Sequence, residues 1–556
     1  MSVAPRPDDR LDSWKAIAAY LERGVRTVRR WEREENLPVH RHVHRVLGSV
    51  YAFRSEIDAW QRRRRASIEP TTNGSAAAGA EVESIAVLPF ANASADSENA
   101  YFADGLTDEI TADLSRLRAL RVISRTSAAA VGGRAPKDAR SIARALGVRY
   151  LLEGSVRRAD DRLRITARLV DARTDTQIWA AKFDGVLADV FAFQEQIARQ
   201  IVDALALRLT TDEDRRLAER PIENAHAYEC YLRARHQGWR WRKDAIDQAV
   251  QLLHNGLAVV GDNARLLTAL GVAHMQYREA GVDLDQRHLA EAERCAEKVF
   301  ALEPKSAAGF RLRGWIHYSR AEVQEAVRDL ESSLAEEPND PDTLLLLSNC
   351  LLISGQLAAA RPLIERLVRI DPLTPLTQCM PAWAAMAGGD FAAAVAPYRK
   401  MYDMDPGNPM ARLFYVLVLL YDAQSGARTE PPDVSRVDAV LDGFSADVRD
   451  TPPAWLARFL ATAVTTRDRD ALPPLTAEMD AVARSSDVLA RMLAGGYAIV
   501  GAVDEAVTWL EVAVARGFIN YPFLAMHDPL LEPARRTPAF ERLMADVRRR
   551  WEAFVV

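Results

Sequence analysis

Four arginines, Arg26, Arg29, Arg30 and Arg33, are spaced to share one side of a helix spanning Val25 to Glu35, with Val25, Val28 and Trp31 on the opposite side. A helix with an apolar inner face and a cationic outer face, entered through a short turn at Gly24, has the shape and charge to lie in the major groove of double-stranded DNA. Pro38 ends it, because proline has no N–H to continue the ladder. His40-Arg41-His42-Val43-His44-Arg45 then alternates, and Ser49-Val50-Tyr51-Ala52-Phe53 is spaced to return as a second strand. The pair reads as a basic ribbon laid along phosphates, with His40, His42 and His44 on one strand face. Glu32, Glu34 and Glu35 soften the positive surface and imply moderate affinity.

Other residues that could do chemistry have plainer readings. Asp104, Asp108 and Glu109 have the look of an acid/base set, but carboxylates near a helix start favour its dipole and amides, so capping is expected. His40, His42 and His44 lack a cysteine or acidic partner at metal-ligand spacing. Cys230, Cys295, Cys350 and Cys379 lie far apart and read as buried reduced thiols. Gly132-Gly133 reads as a turn, since no phosphate-loop pattern occurs in the chain. These readings predict no enzyme, no catalytic residue, no cofactor and no metal.

The elements that must hold the arginine helix follow from the flanking residues. Asp12 or Ser13 caps a first helix from Trp14 to Leu21, whose Trp14, Ile17, Ala18 and Leu21 share a face. Ser55 caps a third helix, Glu56 to Arg65, with Ile57, Ala59 and Trp60 turned to the core. Residues 11–61, through Trp14-Lys15-Ala16-Ile17-Ala18-Ala19-Tyr20-Leu21 and Arg26-Thr27-Val28-Arg29-Arg30-Trp31, resemble the MerR-like and excisionase-like winged helix-turn-helix domains. The resemblance implies base-edge contacts for Arg26, Thr27 and Arg30. It implies phosphate contacts for Arg29, Arg33, Arg41 and Arg45, with His42 beside them on the wing.

Residues 1–66 carry 15 Lys and Arg against 9 Asp and Glu, a balance of +6 that leaves −11 for the rest of a chain whose net charge is −5. The basic end is therefore a separate module, expected at 1–65. The stretch 66–83, with Pro70, Thr71, Thr72, Asn73, Gly74, Ser75 and a run of alanines, has a flexible linker's composition.

Residues 84–210 read as an α/β module. Ser84–Phe90 and Leu120–Ser124 are buried strands, while Asp104–Leu117 and Ala139–Leu146 are helices. Tyr150–Arg157, Leu163–Val170 and Gln177–Ala180 are antiparallel strands, and a long helix over Asp189–Leu209 closes the set. Its Ile85-Ala86-Val87-Leu88-Pro89-Phe90, Phe102-Ala103-Asp104-Gly105-Leu106-Thr107-Asp108-Glu109-Ile110 and Glu153-Gly154-Ser155-Val156 make it similar to the TolB-like amino-terminal domain found before TPR tails in bacteria.

Beyond it, Pro304, Pro338, Pro372 and Pro406 stand 34 residues apart, each after an acidic residue, Glu303, Glu337, Asp371 and Asp405. That period signals helix–turn–helix units too small to bury their own apolar faces and so stacked into a solenoid. Phe310, Gly314, Ala326, Leu330 and Ser333 set a large-small pattern that Leu344, Ser348, Ala360, Ile364 and Leu367 repeat, as do Ala382, Ala394, Tyr398 and Met401. The segment resembles tetratricopeptide (TPR) repeats. An earlier pair spans Tyr228–Leu257, and the unit ending at Pro304 fits if about nine residues near Glu279–His288 are inserted between its helices. Ala411–Tyr421 reads as a first helix before the polar Ala423–Ser435 breaks the pattern, and Val488–Arg516 restores it. A closing helix ends at Arg548-Arg549-Arg550-Trp551, for an all-α solenoid over 220–556.

At 556 residues the chain is too long for one core, and 49% hydrophobic with 27% charged residues suits several soluble domains. The N-terminus lacks a signal peptide's cationic start and apolar centre, and no apolar run approaches a membrane span, so a cytoplasmic bacterial protein without membrane contact is expected. The combined reading is a multidomain DNA-binding transcription regulator. Its solenoid takes a protein partner on the concave face, and a homodimer fits the single head per chain. A non-DNA-binding TPR scaffold or adaptor is the alternative, and an enzyme with an unrecognised site is the third class.

Overall fold

A computed structural model describes residues 10–11, 13–20, 39–41, 50–54, 57, 83–94, 96, 99–132, 138–238, 240–279, 282–283, 285–425, 434–445 and 448–556. The chain divides into two compact units, Met1–Glu81 and Val82–Val556.

In the first unit, strand β1 (Arg10–Leu11), helix α1 (Trp14–Tyr20), strand β2 (His40–Arg41) and strand β3 (Val50–Phe53) surround a small core. Strand β3 is central, antiparallel to both others, with Leu11 opposite Ala52 and His40 opposite Tyr51. Strand β1 has no counterpart in the sequence reading, since two residues are too few to show alternation. Ser13 provides a cap bond, its Oγ accepting from the Ala16 amide at 3.2 Å, while Asp12 lies outside the described residues. Leu11, Ile17, Ala52 and Ile57 are buried together.

The second unit joins a mixed sheet to a helical solenoid. Strands β4 (Glu83–Val87), β6 (Leu120–Val122) and β7 (Tyr150–Ala159) run parallel, with Ile85 opposite Val122 and Tyr150. The short β5 (Ala91–Asn92) also pairs with β7. Strands β8 (Arg162–Asp171) and β9 (Thr176–Val186) extend the sheet antiparallel, giving the order β6-β4-β7-β8-β9. Strand alternation splits the core in two. Ile85 and Val87 face α2 (Ala100–Ser115) and the later helix Val190–Ala204, whereas Ala86 and Leu88 face α3 (Arg125–Gly132) and α4 (Ala139–Leu146). Helix α3 is unpredicted by the sequence reading. Gly154 is required where it stands: a Cβ there would lie 2.6 Å from the Thr166 carbonyl oxygen and 2.4 Å from the Phe90 ring.

The solenoid's helix pairs are Ala225–Gly238 with Lys243–Val260, Ala264–Glu279 with Gln286–Leu302, and Ala307–Ser319 with Val323–Glu336. Pro341–Ile353 with Leu357–Ile370, Pro375–Ala387 with Phe391–Met404, and Pro409–Gln424 with Val434–Asp442 continue it. Pro452–Thr466 with Ala477–Arg484 and Asp487–Ile499 with Val503–Ala515 complete the array. Helix Pro538–Glu552 closes the chain. The periodic acid-proline pairs end second helices for a local reason. A residue before proline is driven out of the α region, and Glu303, Glu337, Asp371 and Asp405 sit at φ/ψ of −133/85, −124/83, −135/61 and −142/76. The insertion expected near Glu279–His288 is absorbed mostly by longer helices, of 16 and 17 residues against 13 and 14 in the next unit. The 452–484 pair is absent from the sequence reading: it lacks the acid-proline mark, and its second helix has only eight residues in which to show the repeat's pattern.

Small residues hold the close crossings, as the repeat pattern requires. Ala326, Ala360 and Ala394 are fully buried, and a Cβ on Gly314 would lie 2.8 Å from Leu330 Cγ. Ala360→Leu is expected to cost about 1–3 kcal/mol through overpacking, read as a lower urea midpoint for the second unit. An unchanged midpoint would show that the crossing can yield.

Candidate functional site

The N-terminal unit supplies the candidate nucleic-acid interface. Of the eight proposed contact residues, Arg26, Thr27, Arg29, Arg30, Arg33, His42 and Arg45 lie outside the described residues. Arg41 lies in β2 opposite Val50. The antiparallel β2–β3 pairing stands where the sequence alternates. His40 stacks on Tyr51 with ring centroids 5.2 Å apart and meets Phe53 at 5.7 Å, so its imidazole is part of an aromatic cluster. Arg54 lies over the Tyr20 ring at 5.5 Å, tying the strand to α1.

Asp104, Asp108 and Glu109 are not helix caps. Helix α2 begins at Ala100, a turn or more earlier than expected, because Tyr101, Phe102 and Ala103 already bury their side chains in its core face. The carboxylates instead join the sheet to the solenoid. Asp104 accepts from His236 Nδ1 at 3.0 Å and Asp108 meets Arg235 at 3.2 Å, while Arg125 contacts both carboxylates. Glu109 meets Arg265 at 2.9 Å and Arg235 at 3.3 Å, and the Tyr231 hydroxyl accepts from both arginines. Burial pushes the Asp108 carboxyl up to about 6 against the pull of Arg235 and Arg125. Asp371, one of the periodic acids, makes the second joint. It accepts from Ser124 Oγ, from Ser127 Oγ at 2.7 Å, and from Thr374 and Thr377 at 2.6 Å each. Its neighbours bond the sheet's edge: the Ser124 amide donates to the Ile370 carbonyl at 2.7 Å and Arg121 donates to the Arg369 carbonyl at 3.0 Å.

The first helices of four units between Pro341 and Ile499 are covered by a later segment of the chain itself. The Ile519 amide donates to the Ile353 carbonyl at 3.0 Å and Asn520 Nδ2 donates to the Leu352 carbonyl at 2.7 Å. Phe518 and Phe523 pack on Trp383, and Leu530 fills the space left by Gly495. Asp528 is fully buried and accepts from the Tyr421 hydroxyl at 3.0 Å, and Arg491 lies beside it under three aromatic rings. Sequence reasoning misses this segment because it carries no period. Its aromatic density, Phe518, Tyr521 and Phe523 within six residues, is the one available signal.

A histidine pair also escaped the reading. His274 and His288 are buried with their Nδ1 atoms 3.0 Å apart, and His288 Nε2 lies 3.1 Å from Asp283. Burial and then His288 lower His274 to about 4, so it stays neutral and packs beside Tyr277. No group of three or more metal-ligating side chains occurs among the described residues. The four cysteines are free and buried, and burial raises Cys295 to about 11 and Cys379 to about 12.

Comparison with known proteins divides the chain along the same lines. Residues 81–200 match the family model for the second domain of HilA/YgeH-like transcriptional regulators, and residues 277–341 and 318–377 match tetratricopeptide repeat models. "Putative adenylate cyclase 3" of Rhizobium meliloti (strain 1021) is 44% identical over 176 residues, 32% of this chain and 30% of that protein. Cellulose synthase operon protein C of Pseudomonas fluorescens (strain SBW25) is 30% identical over 138 residues, 23% of this chain and 10% of that protein. The chain thus spans less than a third of either relative. Among solved structures, a thermophilic TPR protein of Thermus thermophilus covers 35% of this chain and 99% of its own at 16% identity and TM-score 0.29. TolB from Acinetobacter baumannii covers 23% and 29% at 19% identity and TM-score 0.18. The chain is therefore multidomain, with a regulator-type sheet region followed by TPR repeats, and no described helix is long and apolar enough to cross a membrane.

Proposed function

We propose that the chain is a DNA-binding transcription regulator of the bacterial cytoplasm, with a winged helix-turn-helix head of the MerR type and a solenoid that receives a protein partner. The observation that carries this reading is the order of parts. A module with a balance of +6 stands immediately before a region matching the second domain of a transcriptional regulator, in a chain otherwise at −11. Arg26, Thr27 and Arg30 read base edges, while Arg29, Arg33, Arg41, His42 and Arg45 hold the backbone. No side chain is assigned a catalytic role. Because residues 518–531 lie against the first helices between Pro341 and Ile499, a partner seated on those helices has to compete with them.

The test is DNA affinity across a salt series. Arg26→Ala and Arg30→Ala should each weaken specific binding by about 1–3 kcal/mol, and Arg29→Ala should weaken all sequences alike and lower the salt slope by about one. A scaffold whose head binds protein predicts no salt-dependent DNA binding at all. Unchanged affinity in the Arg26→Ala/Arg30→Ala double variant would sink the DNA-reading assignment.

A further inference from the structure

The two faces of the sheet are covered unequally. One packs on α2 and helix Val190–Ala204 through Leu163, Ile165, Leu169 and Phe183. The other meets α3 and α4 only toward β4, where Ala86, Leu88 and Leu151 are buried. Farther along that second face, register and strand alternation place Arg157 of β7, Arg162, Arg164 and Arg168 of β8 and Lys182 of β9, and all five are exposed. Two carboxylates share the surface, Glu153 and Asp184, while Asp160 and Asp161 stand in the hairpin turn at its end. Five cations against two carboxylates leave +3, in a stretch of chain, 67–556, that totals −11.

Pairing within the chain uses only part of this charge. Arg164 and Lys182 share Asp184, at 2.5 and 3.3 Å, and Arg168 takes Glu153 at 2.7 Å. Arg157 and Arg162 have no carboxylate within ion-pair distance among the described residues. Arg157 also sits directly opposite Arg164, a like-charge pair that costs stability unless an anion lies against it. Same-face positions along a strand are about 7 Å apart, so the cations are held in a rigid array. Ser155 and Thr166 lie among them with hydroxyls 2.7 Å apart, a bond that uses one O–H and leaves the other to donate outward. Arginine, lysine and hydroxyl donors are the groups that contact nucleic-acid phosphates. A protein or lipid surface would call for aromatic or long aliphatic anchors, whereas the apolar members here are Ala159, Ala180 and, at the margin, Val186.

We propose that this face of β7, β8 and β9 is a second DNA-binding surface, on which Arg157, Arg162, Arg164, Arg168 and Lys182 neutralise backbone phosphates of a duplex. It rests on the reading of the chain as a DNA-binding protein but on none of the N-terminal unit's residues. Contacts of this kind add affinity without reading sequence, so the surface strengthens binding to every duplex alike.

The experiment measures affinity of the full chain for mixed-sequence double-stranded DNA across a potassium chloride series. Arg157→Ala/Arg162→Ala should weaken binding and lower the slope of log affinity against log salt by about two, one for each lost phosphate contact. Arg157→Lys/Arg162→Lys keeps both charges and should retain the slope. Circular dichroism checks that the sheet survives in each variant. The same pair of substitutions is then made in the Arg26→Ala/Arg30→Ala background, where the loss of slope should recur. An unchanged slope in Arg157→Ala/Arg162→Ala, with DNA binding otherwise intact, overturns the proposal and leaves the N-terminal reading standing; the cations then serve some other anionic partner. If Arg26→Ala/Arg30→Ala changes nothing while the sheet variant loses slope, the N-terminal reading fails and the surface stands. A wild type that binds no DNA at low salt overturns both.

Discussion

Arg491→Met is expected to destabilise the second unit by about 3–5 kcal/mol, the cost of leaving a buried charge without its partner. Arg491 is 3% exposed and Asp528 fully buried, with 3.6 Å between the guanidinium and the carboxylate. Arg491 also donates to the Tyr421 hydroxyl at 3.1 Å, and the Leu530 amide donates to Asp528 at 3.1 Å. Trp383, Phe518 and Phe523 surround the guanidinium at 5.1 to 5.4 Å from their centroids. Methionine retains much of the packing against these rings but removes the cation, so burial, which already raises the Asp528 carboxyl, acts unopposed by its main counter-charge. Asp528→Asn alone should cost a comparable amount by stranding Arg491. The double variant Arg491→Met/Asp528→Asn should recover much of the loss, since neither charge then remains. Urea unfolding of all four proteins gives the coupling directly; strictly additive losses would show that the two side chains do not act as a pair. Release of residues 518–531 should accompany the loss, read as faster amide exchange at Phe523 and Leu524.

What the sequence makes legible here is whatever repeats or alternates. The acid-proline period places four second-helix ends because each depends on a local steric rule. Strands β4, β7 and β8 are legible because their apolar runs or alternations last five residues or more. Positions that depend on distant partners are not. Asp104, Asp108 and Glu109 look alike in a helix with or without Arg235 and Arg265, which lie more than 120 residues away in the chain. The seat of Phe518–Leu531 has the same character, since nothing in an aromatic segment says which helices it will lie against. The 452–484 pair is missed because it lacks the acid-proline mark and its eight-residue second helix is too short to show the large-small pattern that marks other units. For the N-terminal unit, the β2–β3 pairing was readable from alternation, and β1 was not.

Asp371→Ala should damage the protein at a different joint, between the sheet and the solenoid. The carboxylate is buried and accepts from four hydroxyls, two on Ser124 and Ser127 of the sheet region and two on Thr374 and Thr377 of the next helix pair. Alanine leaves those donors without their acceptor, and a buried unsatisfied group costs about 1–3 kcal/mol, so a loss of about 3 kcal/mol or more is expected. Asparagine keeps one acceptor oxygen and should cost less. The Ser127 hydroxyl meanwhile still accepts from the Leu373 amide at 2.8 Å, and the Ser124 amide still meets the Ile370 carbonyl, so the joint loosens before it opens. Other ties, among them Glu109 to Arg265 and Asp108 to Arg235, lie at earlier repeats and are untouched by the substitution. The expected signature is therefore a change of cooperativity as well as of stability. Calorimetry of the wild type should show the sheet and solenoid melting as one transition, and Asp371→Ala should shift a sheet-centred component to lower temperature. If the variant melts as a single transition at the wild-type temperature, Asp371 does not couple the two, and the carboxylate–arginine cluster on α2 holds them together without it.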